Sequence, residues 1–279
     1  MPELPEVETI KRDLEKNLLG KRIQEVIIHD RTALTGISSN GSPRRKISTS
    51  LFQKNILGKK VCSFKRRGKY IIMEFEGGSS LIVHLRMTGQ LLIQKAGGKG
   101  RASFLFDDGN LLSFIDRRRF GEIFFSKDWR HEPSILSLGV EPLNGSLTTE
   151  YLKNQFSGRK APIHSVLLNQ KIVAGLGNIY SAEALYHSAI SPLAQAQKIP
   201  LPKLERLISS IQGVLKKSIE NRGYSMNTYV DLLGKKGKSQ LFTAVYGKEG
   251  TPCKKCRKPL IKKTISGRGV VYCSGCQRP

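Results

Sequence analysis

Four of the five cysteines fall within the last 27 residues, as "CKKC" and "CSGC". Cys253 and Cys256 enclose two residues, sixteen follow, and Cys273 and Cys276 enclose two more. A two-residue gap lets both thiolates of a knuckle reach one metal, and two knuckles complete a tetrahedral S4 site. Zinc suits four thiolates best, being redox-inert and stable in that donor set. A pair of disulfides is the competing use of such cysteines, disfavoured in a cytosolic setting. Four thiolates leave no open position for a catalytic water, so the metal would be structural. The same segment carries Lys254, Lys255, Arg257, Lys258, Lys262, Lys263, Arg268 and Arg278 and no acid. It reads as a metal-held basic hairpin built to meet phosphates, too short to fold on apolar burial alone. Cys62, left over in "VCSF", reads as a small buried hydrophobe on a strand.

The other concentration of reactive types is the opening "MPELPEVETI". Pro5 suits the first turn of a helix, where its missing N–H is not needed. Glu6 and Glu8 suit the positive end of the helix dipole. Val7, Ile10, Leu14 and Leu18 follow at helical spacing, and Gly20 is the stop. Nothing in that account uses Pro2 or Glu3.

The elements that must position these groups come from a chain of 279 residues, long enough for two medium domains, with 39% hydrophobic residues. No apolar run approaches the ~20 residues of a membrane span, and the acidic start lacks a secretory signal's basic and apolar regions. The expected location is the cytoplasm. Lys plus Arg is 47 against 22 for Asp plus Glu, a formal charge of +25 and a pI near 10.1. Such an excess repels itself unless a polyanion offsets it. Without a dominant basic amphipathic helix, nucleic acid is a better partner than a membrane surface.

Short runs rich in Ile, Val, Phe and Leu follow the first helix: "IQEVII", "YIIMEF", "LIVHL", "QLLI", "ASFLF", "LLSFI" and "EIFF". Turn signals such as "EGGSS" and "DDGN" separate them, predicting an antiparallel sandwich or barrel over roughly residues 22–126. The polar insertion "TGISSNGSPRRK" reads as a mobile loop. "LGVEPLNGSLTTE" reads as a linker, with Thr148 or Thr149 as a helix cap. Beyond it, Leu204, Leu207, Ile208, Ile211, Leu215 and Ile219 form a helical stripe. "SVLLNQKIVAGLGNIYSAEALYHSA" predicts helix, Gly-containing turn and helix, with Asn178 capping the second. Such a turn suits a phosphate, and an ordinary helical hairpin explains it equally well.

The segments "MPELPEVET", "KRRGKY", "HLRMTG", "DRRRFG", "GLGNIYSAE", "VYGKEGTPCKKC" and "YCSGC", in that order, resemble bacterial formamidopyrimidine-DNA glycosylase from residue 1 to residue 276. The resemblance implies an α+β multidomain fold: an N-terminal helix with an antiparallel β-sandwich (1–140), a helix-two-turn-helix domain (148–244, with a lesion loop at about 223–243) and a C-terminal zinc β-hairpin finger (245–279). It also implies a reaction, the excision of oxidised purines from damaged double-stranded DNA, followed by β- and δ-elimination. Removal of Met1 would free the Pro2 amine as the nucleophile, with Glu3 transferring protons, Lys69 assisting β-elimination and Arg268 δ-elimination. Glu6 matches a second family carboxylate, with helix capping as the competing role. Met87, Arg118 and Phe120 match the three side chains that fill the space of an everted base; core packing competes for Met87 and Phe120, generic phosphate binding for Arg118. His84, Arg159, Asn178 and Arg268 match phosphate-positioning residues, and Lys99 and Arg118 are also expected to meet DNA. One structural zinc ion on Cys253, Cys256, Cys273 and Cys276, a monomer and a bacterial-type, nucleoid-associated location complete what the resemblance implies.

The chain departs from the family pattern at five places. Lys99 stands where His is common, Arg117 where Pro is usual, and His164 and Asn169 where Lys and Asp are common. Tyr224 stands where a small hydroxyl residue is usual, which bears on lesion preference. The competing readings are an endonuclease VIII-like preference for oxidised pyrimidines and a zinc DNA-binding protein without the reaction.

Overall fold

A computed structural model describes residues 1–34, 48–94, 100–226 and 228–278. The insertion at 35–46 and Lys99 therefore lie outside the described residues. The chain divides into two compact units, Met1–Ser137 with Asn221–Lys238, and Leu138–Glu220 with Ser239–Pro279.

The first unit opens with α1 (Leu4–Leu18), whose Val7, Ile10, Leu14 and Leu18 all enter the core. Pro5 lies in its first turn, and Glu3 and Glu6 form a capping box at its start. Gly20, at φ 80°, takes the left-handed conformation just past its end. The strands β1 (Ile23–Ile28), β2 (Val61–Arg67), β3 (Tyr70–Phe75), β4 (Ser80–His84), β5 (Gly89–Gln94), β6 (Ala102–Phe106), β7 (Leu111–Asp116) and β8 (Glu122–Ser126) form two antiparallel sheets. Their orders are β1-β6-β7-β5 and β2-β3-β4-β8. Val26, Phe104 and Phe114 from the first sheet share one core with Phe64, Met73, Val83 and Phe125 from the second, the sandwich expected from the sequence. The opposite row Ile72, Ile82 and Phe124, paired across β3, β4 and β8, is also buried. A sheet covered on both faces explains why "YIIMEF" reads as a continuous apolar run.

Three features of this unit differ from the sequence reading. A helix, α2 (Thr49–Ile56), precedes β2, capped by Ser48, whose hydroxyl accepts from the Leu51 N–H at 3.3 Å. Only Phe52 and Ile56 of its eight residues are buried, too few to show a period. Cys62 is exposed, because a bulge between Val61 and Ser63 sends Val61 and Phe64 inward and leaves it outside. Residues 221–238, grouped by the sequence with the helical domain, pack in the first unit. Leu232 and Tyr229 join its core, and the Leu232 carbonyl accepts from the Ile93 N–H at 3.0 Å. The Arg222 guanidinium bridges Asp13 and Asp231, with Nη2 2.6 Å from Asp231. After β8 the unit's early stretch closes on α3 (Pro133–Leu136).

The second unit contains α4 (Thr149–Phe156), α5 (Ile163–Leu167), α6 (Asn178–His187) and α7 (Leu201–Glu220). Thr148 caps α4, accepting the Tyr151 N–H at 3.1 Å. In α7 the expected stripe buries Leu204, Leu207, Ile211 and Leu215. The helix expected to run on from Ser165 stops at Leu167, because Gln170 supplies an alternative to helical bonding. Its side chain donates to the Leu176 carbonyl at 2.6 Å and accepts from the Gly175 N–H at 2.9 Å. Gly177, in extended conformation, is the cap of α6, and Asn178 is its first helical residue rather than its cap. The unit ends in an antiparallel hairpin, β9 (Ile261–Ile265) and β10 (Arg268–Tyr272). Ser266 and Gly267, both at positive φ, make the two-residue turn whose twist matches such strands. Among the described residues no helix is long and apolar enough to cross a membrane.

Candidate functional site

In the first unit the N-terminal residues form a dense start to α1. Pro2, Glu3 and Glu6 are buried, while Met1 is half exposed. Both Glu6 oxygens are engaged: Oε2 accepts the Glu3 N–H at 2.8 Å and Oε1 the Tyr224 N–H at 2.7 Å. Glu6 thus caps the helix and tethers residues 221–238. Gly223 permits that tether, since it lies at φ 83° and a Cβ there would sit 2.8 Å from Glu6 Oε1. Tyr224 is buried beside it.

Lys69 follows Gly68 in the two-residue turn between β2 and β3; Gly68 sits at φ 56°, and Lys69 is only 5% exposed. The register then pairs Tyr70 with His84 and His84 with Glu122, so Lys69 and His84 share one end of the second sheet. The Tyr70 and His84 rings meet edge to face at 4.5 Å. His84 Nδ1 accepts the Arg86 N–H at 3.1 Å, which leaves the ring proton on Nε2.

Met87, Arg118 and Phe120 come together on the two loops after β4 and β7. The Arg118 guanidinium lies 3.4 Å from Met87 Sδ and 5.0 Å from the Phe120 ring centroid. Met87 is 39% exposed and Phe120 53%, so core packing does not account for them. The residue that holds this cluster, Asp116, escaped the sequence reading although it opens "DRRRFG". Its buried carboxylate accepts the Thr88 hydroxyl, the Arg118 N–H at 3.2 Å and the Gly121 N–H at 2.6 Å. Arg101 lies 3.6 Å away as its counter-ion.

In the second unit Arg159 is exposed just past α4, its Nε donating to the Gln155 carbonyl at 2.5 Å. Arg268 is exposed at the first position of β10, next to the hairpin turn. Two helices steady that turn: the Asn178 side-chain amide donates to the Gly269 carbonyl at 3.0 Å, and the Ser165 and Ser266 hydroxyls meet at 2.9 Å. Glu183, also missed by the sequence reading, ties in the approach to the finger. Its oxygens accept the backbone N–H groups of Ala244, Val245 and Tyr246 at 2.7, 2.9 and 2.8 Å.

The Sγ atoms of Cys253, Cys256, Cys273 and Cys276 all lie within 4.8 Å of one another. A tetrahedron of thiolates at about 2.3 Å from zinc needs sulfurs about 3.8 Å apart, so the donor set fits that ion. The Lys255 N–H and the Tyr186 hydroxyl, each 3.4 Å from Cys253 Sγ, are the donors a bound thiolate needs.

Residues 1–123 match the formamidopyrimidine-DNA glycosylase N-terminal domain, and residues 138–230 the H2TH domain of the same glycosylase. The chain belongs to the formamidopyrimidine-DNA glycosylase family. The glycosylase of Carboxydothermus hydrogenoformans is 39% identical over the whole of both chains. That of Desulforamulus reducens is 38% identical, covering all of this chain and 99% of its own. Among solved structures, the MutM (Fpg) protein of Thermus thermophilus superposes with a TM-score of 0.86 at 32% identity, covering 99% of this chain and 98% of its own. Lactococcus lactis Fpg in complex with DNA containing an abasic site gives 0.89 at 31%, covering 99% and 100%.

Within this family frame His164 is the departure with a measurable consequence. It is fully buried, and among the described residues neither ring nitrogen has a hydrogen bond of good geometry, the Asn178 side chain being its nearest polar influence. Burial drives its pKa down to about 4, against a smaller opposing effect of the Asn178 side chain. Its folded pKa lies below its unfolded value of about 6.5, so the unfolded chain binds the extra proton. The His164 contribution is therefore fully present above about pH 6.5 and is lost as pH falls toward 4, by about 3 kcal/mol in all. Urea unfolding of wild type and His164→Leu across this window is expected to show a steeper acid loss in wild type. Parallel curves would show that His164 does not titrate as its burial demands.

Proposed function

We propose that this protein is a bifunctional DNA glycosylase and AP lyase that removes oxidised purines, chiefly 8-oxoguanine and formamidopyrimidines, from duplex DNA. The observation that carries this reading is the full-length relationship to formamidopyrimidine-DNA glycosylases in a chain whose second and third residues are Pro2 and Glu3. Lactococcus lactis Fpg variants in complex with DNA containing Fapy-dG, each with a TM-score of 0.89, support the same substrate class.

A base inside the duplex must first be everted, at a cost of a few kcal/mol for glycosylases as a class. Met87, Arg118 and Phe120, exposed and touching, are suited to occupy the vacated space: thioether and phenyl ring as wedges, guanidinium as donor to the orphaned base. With Met1 removed, the Pro2 secondary amine has a reference pKa of roughly 8, so a useful fraction is unprotonated near neutrality. Its lone pair attacks C1′, and the C1′–N bond to the damaged base breaks with its electrons leaving on the base. Glu3 moves the proton that base loss and sugar ring opening require. A secondary amine then yields an iminium that has no N–H to lose and stays cationic. That charge acidifies C2′–H: loss of the proton expels the 3′ phosphate, and the following elimination expels the 5′ phosphate. Hydrolysis of the iminium returns the amine. Lys69 serves the first elimination and Arg268 the second.

Cys253, Cys256, Cys273 and Cys276 would hold one zinc ion, which supplies no step of the reaction and holds the hairpin that bears Arg268. Double-stranded damaged DNA is the partner, met by a basic monomer, since every residue invoked belongs to one chain. Single-turnover excision from 8-oxoguanine and thymine glycol duplexes tests the lesion class. Oxidised purine is expected to leave on the order of tenfold faster, with both phosphates expelled. Faster release of thymine glycol would overturn the purine assignment.

A further inference from the structure

The second unit contains a cavity of about 400 Å³ between α6, α7 and residues 239–243 that the reaction does not use. Tyr180 and His187 line it from α6, Gly213, Val214 and Lys217 from α7, and Phe242 from the third side. Gly213 lies inside α7, where glycine costs about 1 kcal/mol relative to alanine. A Cβ at this position would meet nothing within 4 Å, so close helix packing does not require the glycine. What it does is widen the groove.

Three of the hydroxyls lining the groove are engaged with one another, and those of Ser209 and Thr243 donate to backbone carbonyls. The Tyr180 and Ser218 hydroxyls meet at 2.5 Å, and those of Ser218 and Ser239 at 2.7 Å. Glu183, the acid in the lining, has its oxygens on three backbone N–H groups. The rings of Tyr180 and Phe242 and the Val214 side chain remain as apolar wall. The mouth, by contrast, is cationic. Lys217, in the lining, has its Nζ 4.8 Å from the Phe242 ring centroid; Lys255, just outside the lining, has its Nζ 4.9 Å from the ring centroid of Tyr186, the neighbour of His187. The Lys248 and Lys254 ammonium groups both reach the Thr243 carbonyl. Burial, opposed by Glu183 and aided by Lys255, Lys217 and Lys254, lowers the pKa of His187 among them. Asn178, which bonds the hairpin, opens α6, whereas His187 ends it, about 14 Å away at 1.5 Å per residue. The cationic mouth is thus at the opposite end of α6 from the Arg268 hairpin.

We propose that this groove receives the aromatic residue of a short acidic segment of a partner protein. An apolar cavity of this size suits one aromatic side chain with its adjoining backbone. Carboxylates flanking that residue complement the lysines at the mouth and repel the duplex DNA that the same lysines would otherwise attract.

The probe is a fluorescein-labelled acetyl-Asp-Glu-Asp-Asp-Leu-Phe peptide, followed by anisotropy with the full-length, zinc-loaded protein, free and bound to a tetrahydrofuran-containing duplex. Saturable binding is expected in both states. Gly213→Leu, which fills the groove, and Lys217→Glu, which reverses charge at its mouth, should each weaken binding at least about tenfold. Changing the peptide's Phe to Ala should do the same, while both protein variants keep wild-type base excision. Absence of saturable binding would overturn the proposal. So would unchanged affinity in Gly213→Leu, loss of the peptide on DNA binding, or a groove that instead takes single-stranded oligothymidine in a Gly213-dependent way.

Discussion

A chain that retains Met1, for example behind a short extension that prevents its removal, is expected to lose base excision by at least about a thousandfold. The reason is electronic. While Met1 is attached, the Pro2 nitrogen belongs to a tertiary amide, and its lone pair is delocalised into the carbonyl. Removing Met1 converts the same atom into a secondary amine without moving α1, whose Glu3–Glu6 capping box does not involve that nitrogen. The blocked and processed proteins should therefore bind a tetrahydrofuran duplex with similar affinity and differ in covalent chemistry. Borohydride should trap the processed form on abasic DNA, the crosslink mapping to Pro2 by mass spectrometry, and should leave the blocked form free. Full activity with a blocked terminus, or an adduct on Lys69 or another residue, would refute the assignment. Weak DNA binding by the blocked form would instead point to a disturbed fold.

What the sequence revealed follows the range over which its signals act. Helical spacing and local capping chemistry are decided within a few residues, so the face of α1 and the Thr148 cap of α4 were legible. The S4 cluster was legible because ligand type and spacing are themselves the constraint. Side-chain bonds between distant segments left no comparable trace. Glu6 looks like a helix-end carboxylate, and only the fold shows that its second oxygen holds Tyr224. Asp116 carries no periodic signal, yet it organises the loop of Arg118 through Thr88 and Gly121. Asn178 has the residue type of a cap, but it stands one position inside α6 behind Gly177, and its side-chain amide donates to the hairpin carbonyl of Gly269. Cys62 sits in a strand as expected, and a bulge of one residue turned it outward. The faces of the longer elements were thus readable from periodicity, whereas α2, the placement of residues 221–238 and the supports of the candidate site depend on tertiary partners.

Replacing Cys273 by serine is expected to release the metal, disorder the hairpin and weaken DNA binding by on the order of a hundredfold. The hairpin's own apolar contribution is small: Leu260, Ile265, Val270 and Val271 pack with Cys253, Cys273 and a few residues outside it, including Ala182 and Tyr186. Structural zinc in finger peptides contributes an apparent ~10–16 kcal/mol at neutral pH, more than such a cluster supplies. With three thiolates left, that contribution falls and the register that pairs Arg268 with Ile265 is no longer enforced. Arg268 and the neighbouring lysines then cease to be a fixed array, and about 3 kcal/mol of phosphate contact corresponds to the hundredfold loss. The sandwich has a core of its own and should keep its unfolding transition. Cys62→Ser is the matched control, because its thiol is exposed and lies outside the cluster. Zinc content by a colorimetric chelator and affinity for a tetrahydrofuran duplex read the two consequences separately. If Cys273→Ser keeps both a full zinc ion and wild-type affinity, the four cysteines are not the ligand set that orders this hairpin.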